Sequence, residues 1–250
     1  MATTDAHPDD GYRAKYFIPL ESDPDVFTQL IHNLGVSKTL SFVDVLSLTD
    51  PNLLAFIPRP VLALILVFPD FGDYAAGYAK EQAGKPEYEG SGPGEDAVWF
   101  KQTIGNACGL YALLHAVCNG KARDHVDANS PMARLLTEIT PLSVGPRAHA
   151  LESSTELEDA HRAAALQGQT VAPPAEDHVE HHYICFVRSH KNGHLYQMDG
   201  MLKGPVDLGE AGGEDDLMGE RTLQVVRKFV ETGEQGNVGF SLMALVEDPN

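Results

Sequence analysis

The stretch Gln102-Thr103-Ile104-Gly105-Asn106-Ala107-Cys108-Gly109-Leu110 organises the rest of the chain. It sets a turn of small residues just ahead of Leu110, Leu113, Leu114 and Val117, whose i, i+3, i+4, i+7 spacing predicts an amphipathic helix. Cys108 therefore falls at or near the first turn, where backbone N–H groups lack intrahelical acceptors and the helix dipole is positive. That field favours a thiolate. Gly105, Ala107 and Gly109 leave room for a substrate backbone beside the sulfur. Gln102, one turn upstream, carries an amide able to donate to an oxyanion. Free cysteines mostly fill cores, so the reading of Cys108 as a nucleophile depends on partners elsewhere in the chain.

Upstream, Asp23-Pro24 opens a helix with an N-cap residue and a proline at the first position. Val26, Phe27, Leu30, Ile31 and Leu34 form its buried face, and Gly35 ends it. Tyr12 to Leu20 and Leu40 to Leu46 read as strands, and Asp50-Pro51 opens a short helix with Leu53, Leu54 and Ile57 inside. Pro60 to Phe68 is continuously apolar, as a strand buried on both faces should be, which places it centrally in a sheet. Asp73 to Gln82 reads as a short helix, and the Gly- and Pro-rich stretch from Gly84 to Asp96 as a surface loop. Residues 1 to 11 read as a flexible lead-in.

Downstream, Asn119-Gly120 closes the nucleophile helix and Pro131 to Ile139 forms another. Residues 141 to 178 are bracketed by Pro141, Pro146, Pro173 and Pro174 and hold few large apolar residues, so they read as a mobile loop, with a transient helix over Glu156 to Leu166 that little there anchors to a core. His182 to Val187 and Leu195 to Met198 are strands joined through Lys191-Asn192-Gly193, a hairpin signal. Gly209 to Asp216 reads as an acidic loop, Leu217 to Gly233 as a helix, and Val238 to Val246 as a closing strand. The expectation is a mixed α/β domain with about six strands and no internal repeat.

The composition narrows the function. A chain of 250 residues with 43% hydrophobic residues can bury a large core unaided. The formal charge of −18, from 36 acidic and 18 basic residues, argues against a nucleic-acid partner. The longest apolar run is too short to span a bilayer, and no signal-peptide pattern opens the chain, so a soluble, reducing compartment is expected. Cys108, Cys118 and Cys185 form no CxxC pair, so neither a zinc site nor a disulfide framework is indicated.

His178, His181 and His182 cluster at the entrance of the strand after the long loop. No fourth ligand is spaced to make them a metal site, and neither metal nor cofactor is expected. They are instead candidate bases for Cys108. Asp199 ends the strand after the hairpin, so the turn near Asn192 returns it to the same sheet edge as His181 and His182. A carboxylate there can fix an imidazole tautomer, the third role of a catalytic triad. Strand alternation does not choose between His181 and His182. Cys185 faces away from His182 and, like Cys118, reads as core.

The order Gln102, Cys108, His182, Asp199 resembles the ubiquitin carboxy-terminal hydrolase family of cysteine peptidases. Lys101 to Gly109 resembles the family's nucleophile motif, His182-Tyr183-Ile184 its base strand, and Leu195-Tyr196-Gln197-Met198-Asp199-Gly200 its acid strand. Pro19 to Pro24, Phe42 to Val45, Arg59-Pro60-Val61 and Gly168-Gln169-Thr170 extend the match, which runs from about Tyr16 to Val246. The resemblance implies a single domain over residues 12–250, with papain-like α/β/α layers, a mostly antiparallel sheet and a knotted backbone, the last an exception to the general rule. It implies Cys108 as nucleophile, Gln102 as oxyanion donor, His182 rather than His181 as base, and Asp199 as its orienting acid. His181 departs from the apolar residue close relatives carry there. Residues 150–178 correspond to the family's crossover loop over the active site. The implied activity is hydrolysis of amide, ester or thioester bonds at ubiquitin's C-terminal glycine, with small or unfolded adducts preferred. The implied partners are ubiquitin and close ubiquitin-like modifiers, acting on a monomer in the cytoplasm and also the nucleus. The competing readings are a ubiquitin-binding protein without turnover and a papain-like amidase for small substrates.

Overall fold

The computed structural model describes residues 15–70, 73–177, 179–212, 216–232 and 239–247. In chain order these form α1 (Pro24–Asn33), β1 (Leu40–Asp44), α2 (Pro51–Leu54), β2 (Val61–Pro69), α3 (Asp73–Gln82) and α4 (Cys108–Cys118). A 3₁₀ turn (Gly120–His125) follows, then α5 (Pro131–Ile139), α6 (Val144–Ser153), α7 (Thr155–Ala165), β3 (His181–Arg188), β4 (His194–Met198), β5 (Val206–Glu210), α8 (Glu220–Thr232) and β6 (Ser241–Glu247). The lead-in of residues 1 to 11 lies outside the described residues.

The six strands make one antiparallel sheet in the order β1-β6-β2-β3-β4-β5. β2 is central, as its composition requires, and every residue from Val61 to Phe68 is buried. Each Val, Leu, Ile or Phe side chain among them contributes about 1.5–3 kcal/mol of burial free energy, so this strand anchors the sheet. Ala63, Ile65 and Val67 face one layer, with α1, α4, α5, α6 and α7. Leu64, Leu66 and Phe68 face the other, with α8 and residues of α2 and α3. The result is the expected α/β/α sandwich.

Local chemistry sets the helix ends. Asp23 caps α1, its carboxylate accepting from the Asp25 N–H at 2.8 Å. Gly35 ends that helix at φ +85°, and a Cβ there would collide with the Ser130 side chain. Ser130 in turn caps α5, accepting from the Ala133 N–H at 3.0 Å.

Four expectations need correction. Tyr12 to Leu20 is not a strand over its described part. Tyr16 meets Gly105 in a single bridge, and Pro19 has no N–H with which to extend it. β5 takes a stretch read partly as loop, because an edge strand of sequence Val-Asp-Leu-Gly-Glu carries almost no apolar pattern. Leu53 is not inside, since the four residues of α2 are too few to turn both leucines inward; Leu54 packs and Leu53 is exposed.

The fourth correction is the largest. Residues 141 to 178 are not one loop, because α6 and α7 occupy 144–165. Their anchors are Leu151, Leu157, Ala164 and Ala165, together with two buried polar residues. Arg147 is fully buried and forms a bidentate pair with Glu95, with Nη1 to Oε1 at 3.0 Å and Nη2 to Oε2 at 2.6 Å. It also donates to the carbonyls of Trp99 and Leu142, each at 2.9 Å. His161 Nε2–H donates to the Ile18 carbonyl at 2.7 Å, tying α7 to the stretch before α1. After α7, residues 166–177, 179 and 180 form neither helix nor strand.

Candidate active site

α4 is buried along its length except at Cys108, its first residue, which is partly exposed. No side chain caps this helix start, so the positive end of the dipole is left to whatever lies beside the sulfur. Gly105 lets residues 15–17 cross close by: the Phe17 N–H donates to the Gly105 carbonyl at 3.0 Å, and a Cβ on residue 105 would sit 2.2 Å from the Tyr16 ring.

Asn106 adopts φ +56°, a left-handed conformation that asparagine tolerates better than most residues. Its Nδ2 donates to the carbonyls of Ala175 at 2.8 Å and Asp177 at 2.7 Å. The turn before Cys108 is thereby fastened to the far end of the irregular segment. The near end is held by Glu21, which accepts from the Thr170 N–H and hydroxyl, both at 3.1 Å.

β3 and β4 pair in the register Cys185 opposite Met198, and the hairpin brings His182 to Asp199. His182 Nε2 lies 3.0 Å from Asp199 Oδ1, with the histidine 4% exposed and the aspartate sealed from solvent. A carboxylate only accepts, so Nε2 carries the proton and Nδ1 is left for a second partner. Cys108 lies close enough to this imidazole to act on its charge. Cys108 Sγ also lies 4.0 Å from the His181 carbonyl. Burial alone would lower the His182 pKa. The Asp199 charge and hydrogen bond, with Cys108 behind them, reverse this and hold it well above the usual range.

Asp199 is fixed on several sides. Burial would raise its pKa, but His182, the Met201 N–H at 2.8 Å and the Tyr74 hydroxyl at 2.8 Å keep it low and ionised. Its carbonyl accepts from Trp99 Nε1–H at 3.0 Å. The next residue must be small: a Cβ on Gly200 would strike the Gln102 backbone nitrogen at 2.9 Å, and it is this nitrogen that donates to the Gly200 carbonyl at 2.8 Å. Gln102 is buried, its Nε2 donating to the Ile104 carbonyl at 3.2 Å, while Oε1 has no partner among the described residues. One Nε2 hydrogen remains beyond that bond.

The four residues singled out from the sequence thus gather where β3, β4 and the start of α4 meet. The other histidines separate: His181 is exposed at the strand entrance, and His178 lies outside the described residues. Cys118 and Cys185 are fully buried, and burial pushes the Cys118 thiol up to about 12 and Cys185 well above its ordinary value. Among the described residues no group of three or more His, Cys, Asp or Glu side chains is placed to hold a metal ion.

Sequence reasoning gave no role to Asn106, Tyr74, Glu95 or Arg147. For Asn106 a signal existed, since a lone asparagine in a turn of small residues is a candidate for positive φ. For Tyr74 none did: 125 residues separate it from Asp199.

The chain is also similar to known proteins. Residues 17–231 match the family model "Ubiquitin carboxyl-terminal hydrolase, family 1". The ubiquitin carboxyl-terminal hydrolase of Aplysia californica is 39% identical over 217 residues, 86% of this chain and 94% of that one. Human ubiquitin carboxyl-terminal hydrolase isozyme L1 is 35% identical over 227 residues, 91% of this chain and 96% of that one. The fold is shared with the catalytic domain of Trichinella spiralis UCH37, solved bound to ubiquitin vinyl methyl ester, with a TM-score of 0.70, 22% identity and coverage of 95% of this chain and 98% of that one. The chain therefore belongs to family 1 of the ubiquitin carboxyl-terminal hydrolases.

Proposed function

We propose that this chain is a cysteine hydrolase that cleaves bonds at the C-terminal glycine of ubiquitin. The observation that carries the reading is the buried His182–Asp199 pair at 3.0 Å, with Cys108 close to the imidazole at an uncapped helix start. Nδ1 of His182 takes the thiol proton, and Sγ of Cys108 attacks the glycine carbonyl. The second Nε2 hydrogen of Gln102 and the Cys108 backbone N–H stabilise the oxyanion. The tetrahedral adduct collapses to a thioester while the imidazolium protonates the departing amine. Water, deprotonated by His182, then releases ubiquitin and restores the thiol. Asp199 holds the imidazole and offsets its charge throughout.

The tethering of the irregular segment at Thr170 and again at Ala175 and Asp177 supports a preference for small or unfolded adducts, which must pass beneath that segment as a crossover strap. The net charge of −18 supports a basic partner surface and faster encounter at low salt. Three free cysteines suit a reducing compartment such as cytoplasm or nucleus, and we take the active form to be a monomer. The experiment is release of a fluorophore from ubiquitin bearing a C-terminal fluorogenic amide. Turnover by the wild type and none by Cys108→Ala is expected. Tight ubiquitin binding by both proteins with no turnover by either would make the chain a binding protein instead.

A further inference from the structure

α3 delivers one side chain to the closed end of the His182–Asp199 pair. The Tyr74 hydroxyl donates to Asp199 Oδ2 at 2.8 Å, the carboxylate oxygen that His182 does not use. The Tyr74 ring centroid lies 5.5 Å from the His182 ring at an interplanar angle of 36°, and 4.7 Å from that of Phe68. Gln197 Nε2 donates to the same hydroxyl oxygen at 3.4 Å, which directs the phenolic proton away from Gln197 and toward Asp199. One tyrosine therefore touches both members of the pair, the acid through its hydroxyl and the base through its ring.

The remaining groups around Asp199 show what the tyrosine adds. His182 from β3 and the Met201 N–H from the turn after β4 both address Oδ1. Tyr74 is the donor shown on Oδ2 among the described residues. Two donors on one oxygen still leave the carboxylate free to rock about its Cβ–Cγ bond, and a donor on the other oxygen stops that rotation. In a site with no solvent access, an Oδ2 without a donor would favour rotation or uptake of a proton.

We propose that Tyr74 is a positioning residue of this site, which locks the Asp199 carboxylate in the plane that holds the His182 imidazole toward Cys108. The inference rests on the roles given to His182 and Asp199 above. It adds a fifth side chain, from an element distant in sequence, and makes the seating of α3 a condition for full activity.

The test is Tyr74→Phe, which keeps the ring against His182 and Phe68 and removes only the hydroxyl. Proton NMR of the resting protein, without substrate, reads the His182 Nε2–H signal and its exchange with solvent. Exchange at least tenfold faster than in wild type is expected, with the melting profile retained. On fluorogenic ubiquitin amide, kcat is expected to fall about tenfold or more with KM within twofold of wild type. An unchanged Nε2–H signal and exchange rate would overturn the proposal, as would a loss confined to KM. Because the NMR readout needs no turnover, a wild type that fails to hydrolyse ubiquitin amide would count against the proposed function and leave the Tyr74 inference to be decided by the spectrum.

Discussion

His182 Nε2 and Asp199 Oδ1 sit 3.0 Å apart in an interior closed to water, although 17 residues separate them along the chain. The β3–β4 hairpin makes this contact, so the pair is as rigid as the sheet. Asp199→Asn would present either a neutral acceptor or a competing N–H to the imidazole and remove the charge that holds its pKa up. A fall in kcat of about 10²- to 10⁴-fold is expected, with ubiquitin affinity little changed. Steady-state kinetics and calorimetric binding check this together.

Asn106 ties the turn before Cys108 to residues 175 and 177. Asn106→Gly keeps the positive φ at no steric cost but releases both carbonyls. Proteolysis within residues 170–177 should become faster, and the ratio of folded-adduct to small-adduct cleavage should rise severalfold. Asn106→Ala should show the same change and lose roughly a further 1 kcal/mol of stability through backbone strain. Limited proteolysis and paired substrates measure both effects.

The Arg147–Glu95 pair fixes α6 to the irregular segment that leads to Gln102. Arg147→Met leaves the buried Glu95 carboxylate without its countercharge, held only by the Tyr88 hydroxyl at 3.1 Å among the described residues, and should cost about 3–5 kcal/mol, whereas Arg147→Met with Glu95→Leu should recover much of that loss. Urea unfolding of the single and double variants decides this. Equal loss in both would show that the carbonyl bonds of Arg147, rather than the ion pair, hold α6.

Burial pushes the His161 imidazole down to about 4, against the opposing pull of the Ile18 carbonyl and Glu158. The folded protein keeps this ring neutral while the unfolded chain protonates it below about 6.5. Stability is therefore intact above that value and falls as the pH drops toward 4, by up to about 3 kcal/mol from this residue. His161→Gln, which can still donate to Ile18, should flatten the decline between pH 6.5 and 4.5. Urea midpoints across that window measure it. Some slope should persist, because burial also pushes the His115 imidazole down, to about 3.

Much of the fold and the candidate site is legible in sequence, and the parts that are not share a physical cause. β2 declares itself through unbroken apolar composition, α1 and α5 through an N-cap followed by proline, and the β3–β4 hairpin through its turn. Those signals are local. β5 lies at a sheet edge and needs no apolar alternation. α6 and α7 look unanchored because they carry few apolar anchors and the rest are polar, and Arg147 finds Glu95 52 residues upstream. His161 reaches the Ile18 carbonyl 143 residues away. Of the site, the four principal residues carry motif and order; Tyr74 and Asn106 acquire a role only once the chain is folded around them.

The most direct measurement of the central claim is the rate and position of covalent capture by ubiquitin bearing a C-terminal electrophile, read by peptide mass mapping. Capture on Cys108 alone is expected, rapid in wild type and His181→Ala and slowed by at least a hundredfold in His182→Ala. Capture on Cys118 or Cys185, or capture on Cys108 that is unaffected by His182→Ala and slowed by His181→Ala, would contradict the assignment of nucleophile and base.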